Sequence, residues 1–506
     1  MTRTENSTKN MVTGLINQLL ILIFRFVTRT VLIYTLGEQY LGINGLFTNI
    51  LTLLSLTDLG IGTALVFSLY KPIADKDIKR QNVIIHYLKK VYFLIGLIIV
   101  GISLVLMPFL PNIIKEDVNF INLNIVFLIY VFQTASTYLF FASNTEFLNA
   151  NQKNYIVNKI SNIITIISNL VQILVLLLFK NFYLYIITVV IFGIIQSAII
   201  AFKARKMYPF IKEKPSESLT KEEKKGIFKD CGSLLIYRTN YVVLTATDNI
   251  LISKFLGLAV VGIYSNYLLI VNSIINVLST FFNAINAGIG NLHANDEPEK
   301  EYFIFRLVNI LTVTLFGIFS IGIYCLANDF ITIWIGDKFT LSHGFVIILA
   351  INLYIEGLRK FLSSYRSSYG LFRNAKFMPL FGMIVNIVVS VILIQKIGII
   401  GALLGTLISN LVSFMWYDPY IIYKKSFKKS PKEYYLKNIA YLLYFILVGY
   451  LCSLICDFTV INGVLGFIIH GIICITIPVI PLIIYYYNSE YGSYLKYAIK
   501  KILKKI

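Results

Sequence analysis

The chain has 506 residues, of which 57% are apolar and only 14% are charged, and its mean hydropathy is +0.76. This balance excludes an ordinary soluble globular protein and indicates a polytopic membrane protein. The net charge of +20 would fit nucleic-acid binding if the basic residues formed one patch. They fall instead in short clusters between long apolar runs, as in cytoplasmic loops, so the predicted partner is the lipid bilayer and not nucleic acid.

Windows long enough to cross a hydrocarbon core of about 30 Å predict about fourteen membrane-spanning helices in an all-α fold. The first run follows Arg3 and Lys9 and continues to about Leu36 without a small-residue cleavage site, so it is predicted to be a span and not a removed signal. The predicted spans lie near residues 11–36, 43–70, 90–110, 120–143, 155–179, 182–202, 231–256, 260–289, 304–326, 344–367, 378–395, 397–423, 438–456 and 462–487.

The lysines and arginines fix a predicted orientation for these spans. With the N-terminus inside, 34 of the 45 basic residues fall in inner segments, and only Lys115, Lys180, Lys338 and Lys396 fall outside. This asymmetry follows the positive-inside rule, and the even number of spans puts both termini in the cytoplasm.

An internal repeat divides the chain. The stretch "LGEQYLGI" at 36–43 matches "LGLAVVGI" at 256–263 with an offset of 220 residues, and "QKN" at 152–154 lies opposite "FRN" at 372–374 with the same offset. Six spans followed by six more in the same orientation predict two parallel, pseudo-symmetric bundles, an arrangement found in transporters. The predicted domains are a six-helix bundle at 1–206, a cytoplasmic linker at 207–230, a second six-helix bundle at 231–425, and two further helices with a basic cytoplasmic tail at 426–506.

Charged residues inside the predicted spans are the candidate functional residues, because a charge at the bilayer centre is costly and rare. Arg25 and Arg29 lie four residues apart on one face of the first span. Glu356 is spaced to pair with Arg359 or Lys360 on its own helix, and Asp58 with an arginine of the first span, so a purely structural role is one interpretation. Because cations outnumber anions in the spans, a binding site for phosphate or carboxylate is the other. The candidate site residues are Arg25, Arg29, Asp58, Arg238, Asp248, Glu356, Arg359 and Arg366.

Polar residues also recur at helical spacing along two spans. Thr48, Thr52, Ser55 and Asp58 follow one face of the second span, and a row of asparagines that begins at Asn272 follows the eighth. Such residues either join helices to one another or line a cavity for hydroxyl-rich cargo.

No pattern for catalysis or metal binding is visible. The five cysteines lie in or beside apolar segments without metal-ligand spacing, and the four histidines form no cluster. The motif GxxxxGK[ST] is absent, which argues against direct coupling to ATP. The outer loops are short and leave no room for an external catalytic domain. The sequence therefore predicts a protein that is not an enzyme, with no cofactor and no metal.

The stretch "YLGINGLFTNILTLLSLTDLGIGTALVFSLYKPIADKD" at 40–77 resembles the start of the bacterial polysaccharide flippases. These are the O-antigen and capsule repeat-unit transporters of the multidrug/oligosaccharidyl-lipid/polysaccharide exporter superfamily. The "DLGIG" step, the "YKP" exit and the later "KIGIIGALLGTLIS" at 396–409 carry the resemblance, which extends to the span count and the repeat over nearly the whole chain.

This resemblance implies a multi-pass protein of the bacterial plasma membrane, which is the inner membrane in bacteria with two membranes. It implies that the protein flips undecaprenyl-diphosphate-linked oligosaccharides to the outer leaflet by alternating access through a cationic central cavity. Other implied partners are a polymerase and further polysaccharide-assembly proteins. By position, Arg25, Arg29, Asp58, Arg238, Asp248 and Arg359 would belong to the cavity.

Three alternatives stay open. A cation-coupled small-molecule exporter of the same fold would favour an acidic cavity, whereas the predicted one is basic. A peptidoglycan-precursor flippase would carry a cargo of similar charge, so charge alone does not exclude it. A membrane polysaccharide polymerase or glycosyltransferase is disfavoured by the short outer loops. Asp58 or Asp248 would be the carrier of a coupling proton or Na⁺ if transport is ion-driven.

Overall fold

The computed structural model describes residues 3–55, 61–116, 118–229, 242, 246–294, 298–369, 371, 377–459, 461 and 463–503. The regular structure in these residues is helical, and eleven helices are long and apolar enough to cross a membrane. The predicted all-α polytopic membrane fold is therefore confirmed. The described chain forms two compact units, Met1–Ser265 and Asn266–Ile506. The four predicted domains stay a prediction.

Unit 1 contains the helices of the first half of the chain, the helical residues 246–256, and the first turns of a helix that begins at Leu258. Within this unit α1 packs on α8, α8 on α9, α9 on α6, and α6 on α4. The helices are α1 (Arg3–Leu36), α2 (Glu38–Leu54), α3 (Ile61–Ala74), α4 (Ile78–Leu106), α5 (Leu110–Ile113), α6 (Leu123–Phe140), α7 (Ala142–Ala150), α8 (Asn154–Phe179), α9 (Phe182–Met207) and α10 (Lys221–Lys229).

Unit 2 contains the rest of the helix that begins at Leu258 and the helices that follow it. In this unit α12 packs against α13, α17 and α18, while α14 and α15 form a tight hairpin. The helices are α11 (Leu258–Ala294), α12 (Pro298–Ile335), α13 (His343–Ser368), α14 (Phe377–Ile397), α15 (Ile399–Val412), α16 (Phe414–Ile422), α17 (Lys432–Phe458), α18 (Gly463–Tyr486) and α19 (Glu490–Leu503).

Eleven of the predicted spans correspond to the eleven helices that have the length and hydropathy of a span. The other three differ for identifiable reasons. In the second, the helices α2 and α3 are described but residues 56–60 between them are not. Most of the seventh lies outside the described residues. The tenth, α13, is a continuous helix of 26 residues, but Glu356, Arg359, Lys360 and Arg366 lower its hydropathy. The number fourteen stays a prediction.

Glycines at both copies of the repeated motif adopt the same backbone geometry. Gly37 has φ 99° and Gly257 has φ 101°, a region that is open mainly to glycine. The Gly37 amide donates to the carbonyls of Leu32 and Ile33, and the Gly257 amide donates to those of Ile252 and Ser253, again 220 residues on. Both glycines therefore end one helix and start the next in the same way.

The two motif copies also contact each other reciprocally inside unit 1. A Cβ added at Gly42 would collide with the backbone carbonyl of Leu258, and one added at Gly262 would collide with that of Glu38. Since Leu258 and Gly262 are the repeat equivalents of Glu38 and Gly42, this is the pattern of a contact across a two-fold axis. The first turns of α2 and α11 thus pack backbone to backbone, which only glycine permits.

We expect Gly42→Ala to destabilise the protein by about 1–3 kcal/mol, because the new methyl group has to displace the Leu258 backbone. Gly101→Ala is the matched control, since no atom lies within 4 Å of a Cβ at this exposed position in α4. The measurement is the thermal unfolding midpoint of the purified proteins in detergent. Equal midpoints for Gly42→Ala and Gly101→Ala would contradict the close contact.

Candidate functional site: a polar cavity and the buried charges

A cavity of about 830 Å³ lies in unit 2, and a cavity of about 730 Å³ lies in unit 1, where Arg25 is the predicted site residue that lines it among the described residues. The unit 1 cavity is bounded by α1, α2, α6, α8 and α9. Arg25 is the one charged residue among its described lining residues, and the other polar groups are amides, hydroxyls and phenols. These groups are Asn44, Thr48, Thr52 and Ser55 on α2; Tyr130, Gln133, Thr134, Thr137 and Tyr138 on α6; Thr165, Ser168, Asn169 and Gln172 on α8; and Tyr185 and Gln196 on α9.

The helical repeat explains why so many polar groups meet in one place. On α8 the lining residues Thr165, Ser168, Asn169 and Gln172 follow the spacing i, i+3, i+4 and i+7, which puts them on one face. The row on α6 that begins at Tyr130 has the same spacing. The sequence reasoning found the equivalent row on α2 and missed those on α6, α8 and α9. A count of polar residues at helical spacing in each apolar span would have found them.

Hydrogen bonds between helices hold part of this lining in place. The Thr28 hydroxyl of α1 donates to Asn169 Oδ1 of α8 at 3.2 Å, and the Tyr130 hydroxyl of α6 donates to Asn44 Oδ1 of α2. Along α8, Gln172 Nε2 donates to Ser168 Oγ at 2.7 Å. Several groups of the wall are thus hydrogen-bonded to one another, while Gln133 and Gln196 add amides that line the open space.

Arg25 lies at mid-membrane depth on the cavity wall. The membrane-spanning part of α1 is Gln18–Leu36, so at 1.5 Å per residue Arg25 is about 10 Å from one end and about 16 Å from the other. Its side chain is exposed and lines the cavity. One turn further along, Arg29 is half-buried, and its Nη2 donates to Ser265 Oγ at the start of α11. The two arginines therefore have different surroundings.

Asp248 is buried and lies near the same start of α11. Only 5% of its surface is exposed, and its Oδ2 accepts a hydrogen bond from the Tyr264 hydroxyl at 3.5 Å. Since Tyr264 and Ser265 are adjacent, Asp248 and Arg29 both contact the same turn of α11. Neither is among the residues that line the polar cavity.

Glu356, Arg359 and Lys360 form one charged cluster on α13 in unit 2. Glu356 Oε2 lies 2.6 Å from Arg359 Nη2, and Glu356 Oε1 lies 3.9 Å from Lys360 Nζ. The side chains of Glu356 and Arg359 are 16% and 12% exposed. The pairing that the spacing predicted is therefore present, and the cluster keeps one net positive charge.

Arg366, two turns further along α13, is engaged differently. It is 3% exposed, and its guanidinium forms an ion pair with Asp418 of α16, which is 1% exposed. Arg366 Nη2 also donates to Ser363 Oγ at 3.4 Å. Asp418 was not among the predicted residues, because it lies 52 positions away in a different span.

Two predicted site residues, Asp58 and Arg238, lie outside the described residues. Within the described part of the chain, no group of three or more histidine, cysteine or acidic residues is placed to hold a metal ion. What the described lining of the unit 1 cavity offers chemically is a polar surface at membrane depth that donates and accepts hydrogen bonds, with one guanidinium for an anion.

The comparisons with known proteins point to one family and one fold. The family described as "Polysaccharide biosynthesis protein" matches residues 7–286. The structure of the lipid II flippase MurJ in an inward closed conformation superposes with a TM-score of 0.64 at 18% identity, covering 94% of this chain and 98% of that one. An inward-facing multidrug resistance MATE family transporter of the MOP superfamily gives 0.58 at 12% identity, over 78% and 93%.

A Vibrio cholerae MATE transporter gives a TM-score of 0.55 at 15% identity, over 85% of this chain and 98% of that one. At these identities the likeness shows a shared fold. A comparison with curated protein sequences found no significant match.

The buried pair generates a prediction for Arg366. We expect Arg366→Met to destabilise the protein by about 3–5 kcal/mol, because Asp418 is left charged and alone in a buried place. Adding Asp418→Leu should recover most of that loss. Thermal unfolding midpoints in detergent report both effects, with Lys425→Met as the control at an exposed residue. Unchanged stability of Arg366→Met together with lost activity would assign Arg366 to substrate binding.

Proposed function

Because the chain belongs to the family of polysaccharide biosynthesis proteins, we propose that it is a flippase for lipid-linked oligosaccharides. It moves undecaprenyl-diphosphate-linked repeat units from the cytoplasmic to the outer leaflet of the bacterial plasma membrane, for the assembly of a surface polysaccharide such as an O-antigen or a capsule. A polymerase and further assembly proteins then receive the flipped units.

The observation that carries this proposal is the polar cavity at membrane depth in unit 1. Its described lining combines about fifteen amide, hydroxyl and phenol side chains with Arg25. A buried polar surface of this size is expensive in a membrane unless it serves a polar cargo. Sugars present many hydroxyls that both donate and accept hydrogen bonds, which matches groups such as Gln133 and Thr134.

The physical task is to move sugars and phosphates across hydrocarbon, where each unsatisfied polar group costs several kcal/mol. The cavity supplies replacement hydrogen bonds for the sugar, and the polyprenyl tail stays in the lipid throughout. Arg25 supplies the planar fork that suits a phosphate oxygen pair. Arg25 is therefore the best placed of the candidate residues of unit 1, and Arg29 and Asp248 are proposed to position this part of the site through their contacts with one turn of α11.

The driving force follows from the charge of the cargo. An inside-negative potential favours outward movement of a diphosphate by about 2.3 kcal/mol per charge per 100 mV. In this proposal the protein forms and breaks no covalent bond, and it works as a transporter by opening alternately to the two sides of the membrane. If an ion is coupled, the buried carboxyl of Asp248 is the carrier we propose in the described residues.

A second candidate is a flippase for a peptidoglycan precursor, which the structural likeness to the lipid II flippase MurJ favours. Both cargoes have a polyprenyl diphosphate and sugars. The test is complementation: cells depleted of their own lipid II flippase would regain growth on expression of this protein if the second candidate holds. Failure to restore growth, with the protein present in the membrane, favours the oligosaccharide.

The remaining alternatives are less well supported. A cationic drug would require a carboxylate where the described lining of the cavity offers Arg25. A polymerase and a flippase can be told apart by the side of the membrane on which the substrate accumulates when the protein is missing. Cells without the protein should hold single undecaprenyl-linked units that an added glycosidase reaches only after the membrane is permeabilised. Units that the enzyme reaches in intact spheroplasts would favour a polymerase.

Arg25→Gln should lower export of surface polysaccharide by roughly tenfold or more, because a charge-assisted contact to the diphosphate is lost. Arg25→Lys should give an intermediate loss, since the charge remains without the fork. The measurement is the surface polysaccharide per cell, normalised to the protein content of the membrane. Arg205→Gln, near the end of α9 and outside the cavity, is the matched control. Wild-type export by Arg25→Gln would refute the proposed role of Arg25.

A further inference from the structure

A second large cavity lies in unit 2 and shares no lining residue with the polar cavity of unit 1. Its volume is about 830 Å³, and it opens between α12, α17, α18 and the start of α19. Arg306 near the start of α12, Lys437 near the start of α17 and Tyr486 at the end of α18 line it. On the predicted topology these ends all lie on the cytoplasmic side, at the level of the lipid headgroups. We call this cavity the interface pocket.

Positive charge dominates the rim of the interface pocket. Arg306 Nη2 lies 3.0 Å from Glu433 Oε1, and Lys437 Nζ lies 2.7 Å from the same oxygen. One carboxylate thus serves two cations. Lys429, which is not a lining residue, lies with its Nζ 4.0 Å from the centre of the Tyr302 ring, and the Arg306 guanidinium lies 5.7 Å from the same ring. Among the described lining residues, Arg306, Lys437 and Glu433 carry one positive charge in excess, so the rim favours an anion.

Tyr434 also lines the interface pocket, but its hydroxyl oxygen is buried away from the open space, so the donors available to a bound molecule are the cations of the rim.

The deeper wall of the interface pocket is apolar. Ile310, Ala440, Pro481 and Leu482 line it below the charged rim. Toward the bilayer the neighbouring surfaces of α17 and α18 expose residues such as Leu443, which is 61% exposed. The pocket therefore presents cations and hydroxyls at headgroup level and hydrocarbon below, and it faces a surface that lipid covers.

The first turns of α19 close the cytoplasmic edge of the interface pocket. The ring of Tyr491 stacks on Phe303 of α12 with centroids 5.1 Å apart, and the Arg306 guanidinium lies 5.7 Å from the same Tyr491 ring. Arg306 is thus placed between two aromatic rings, Tyr302 and Tyr491. Tyrosines at a membrane interface and a lysine-bearing amphipathic helix are both typical of headgroup contacts.

We infer that the interface pocket binds an anionic phospholipid. The phosphate lies against Arg306 and Lys437, while the acyl chains run along the apolar wall. This site is distinct from the polar cavity of unit 1 and goes beyond the proposed transport function. The bound lipid fastens α17 and α18, the two helices beyond the predicted repeat, to α12.

The test titrates the purified full-length protein in detergent with phosphatidylglycerol and follows the unfolding midpoint, while native mass spectrometry counts the bound lipids. Phosphatidylcholine, inorganic phosphate and undecaprenyl diphosphate are titrated in parallel. The variants are Arg306→Gln and Lys437→Gln, and the second, at a side chain that is 46% exposed, remains a test if Arg306→Gln fails to fold. Lys432→Gln is the matched control, because Lys432 is exposed on α17 and does not line the pocket.

We expect phosphatidylglycerol to raise the midpoint of the wild type and of Lys432→Gln alike. The concentration needed should rise by roughly tenfold for Arg306→Gln and by a smaller factor for Lys437→Gln, whose side chain is more exposed. Equal effects on all variants, or equal effects of phosphatidylcholine, would overturn the assignment. Stabilisation by inorganic phosphate alone would make the pocket a site for soluble anions, and stabilisation by undecaprenyl diphosphate alone would make it a substrate site.

Discussion

Hydrocarbon offers no hydrogen-bond partners, so each polar group at membrane depth has to be satisfied by the protein or by water in a cavity. The chain meets this constraint in two ways. In unit 2, Arg366 and Asp418 are almost fully buried and face each other. In unit 1, Arg25 is exposed on the wall of a polar cavity. An arginine in a closed pair contributes to structure, whereas one on a cavity wall is available to a ligand. The difference in surroundings separates two residues that look equivalent in sequence.

The same constraint explains why small residues matter at the helix contacts. Between helices in lipid the hydrophobic effect supplies no driving force, so association depends on close packing and on hydrogen bonds. Gly42 and Gly262 let the starts of α2 and α11 approach until backbone meets backbone. Gly405 brings α15 equally close to Ser390 of α14. The side chains at the repeat positions Glu38 and Leu258 differ in character, yet their carbonyls make the same contact. The duplication is therefore preserved in backbone geometry more than in side-chain chemistry.

Much of the fold could be predicted from the sequence, because long apolar runs and basic inner loops reflect the bilayer directly. The residues at which the helices begin and end could not be predicted in this way. Helix α4 begins at Ile78, where Asp77 caps it by accepting from the Arg80 amide at 2.9 Å, well before the apolar run near 90–110. Hydropathy detects only the part in lipid. The tenth span shows the reverse case, since α13 is a regular helix whose charges lower its hydropathy.

The candidate site was predictable only in part. Charged residues stand out in an apolar sequence, so Arg25 was found. Neutral polar residues on α6, α8 and α9 do not stand out one at a time, and what makes them a site is that five helices bring their polar faces together. That convergence is a property of tertiary packing. The Arg366 and Asp418 pair shows the same limit, because nothing in either span alone indicates which partner a buried charge has.

Apart from Arg25, the described lining of the unit 1 cavity is neutral, and this bears on how a flippase of the proposed kind would treat its cargo. Threonine, serine and tyrosine hydroxyls rotate and serve as donor or acceptor, and a glutamine amide offers both at once. Such a lining can form hydrogen bonds with sugar hydroxyls in many configurations and does not require one particular configuration. In the proposed function, Arg25 adds a contact to the anionic diphosphate that every polyprenyl diphosphate carries. A second cation on the same wall would bind the diphosphate more tightly on both sides of the membrane, and equal tightening in both states slows release without favouring transport. In the described part of the wall, one guanidinium among neutral polar groups therefore suits a carrier that has to recognise its cargo and then release it.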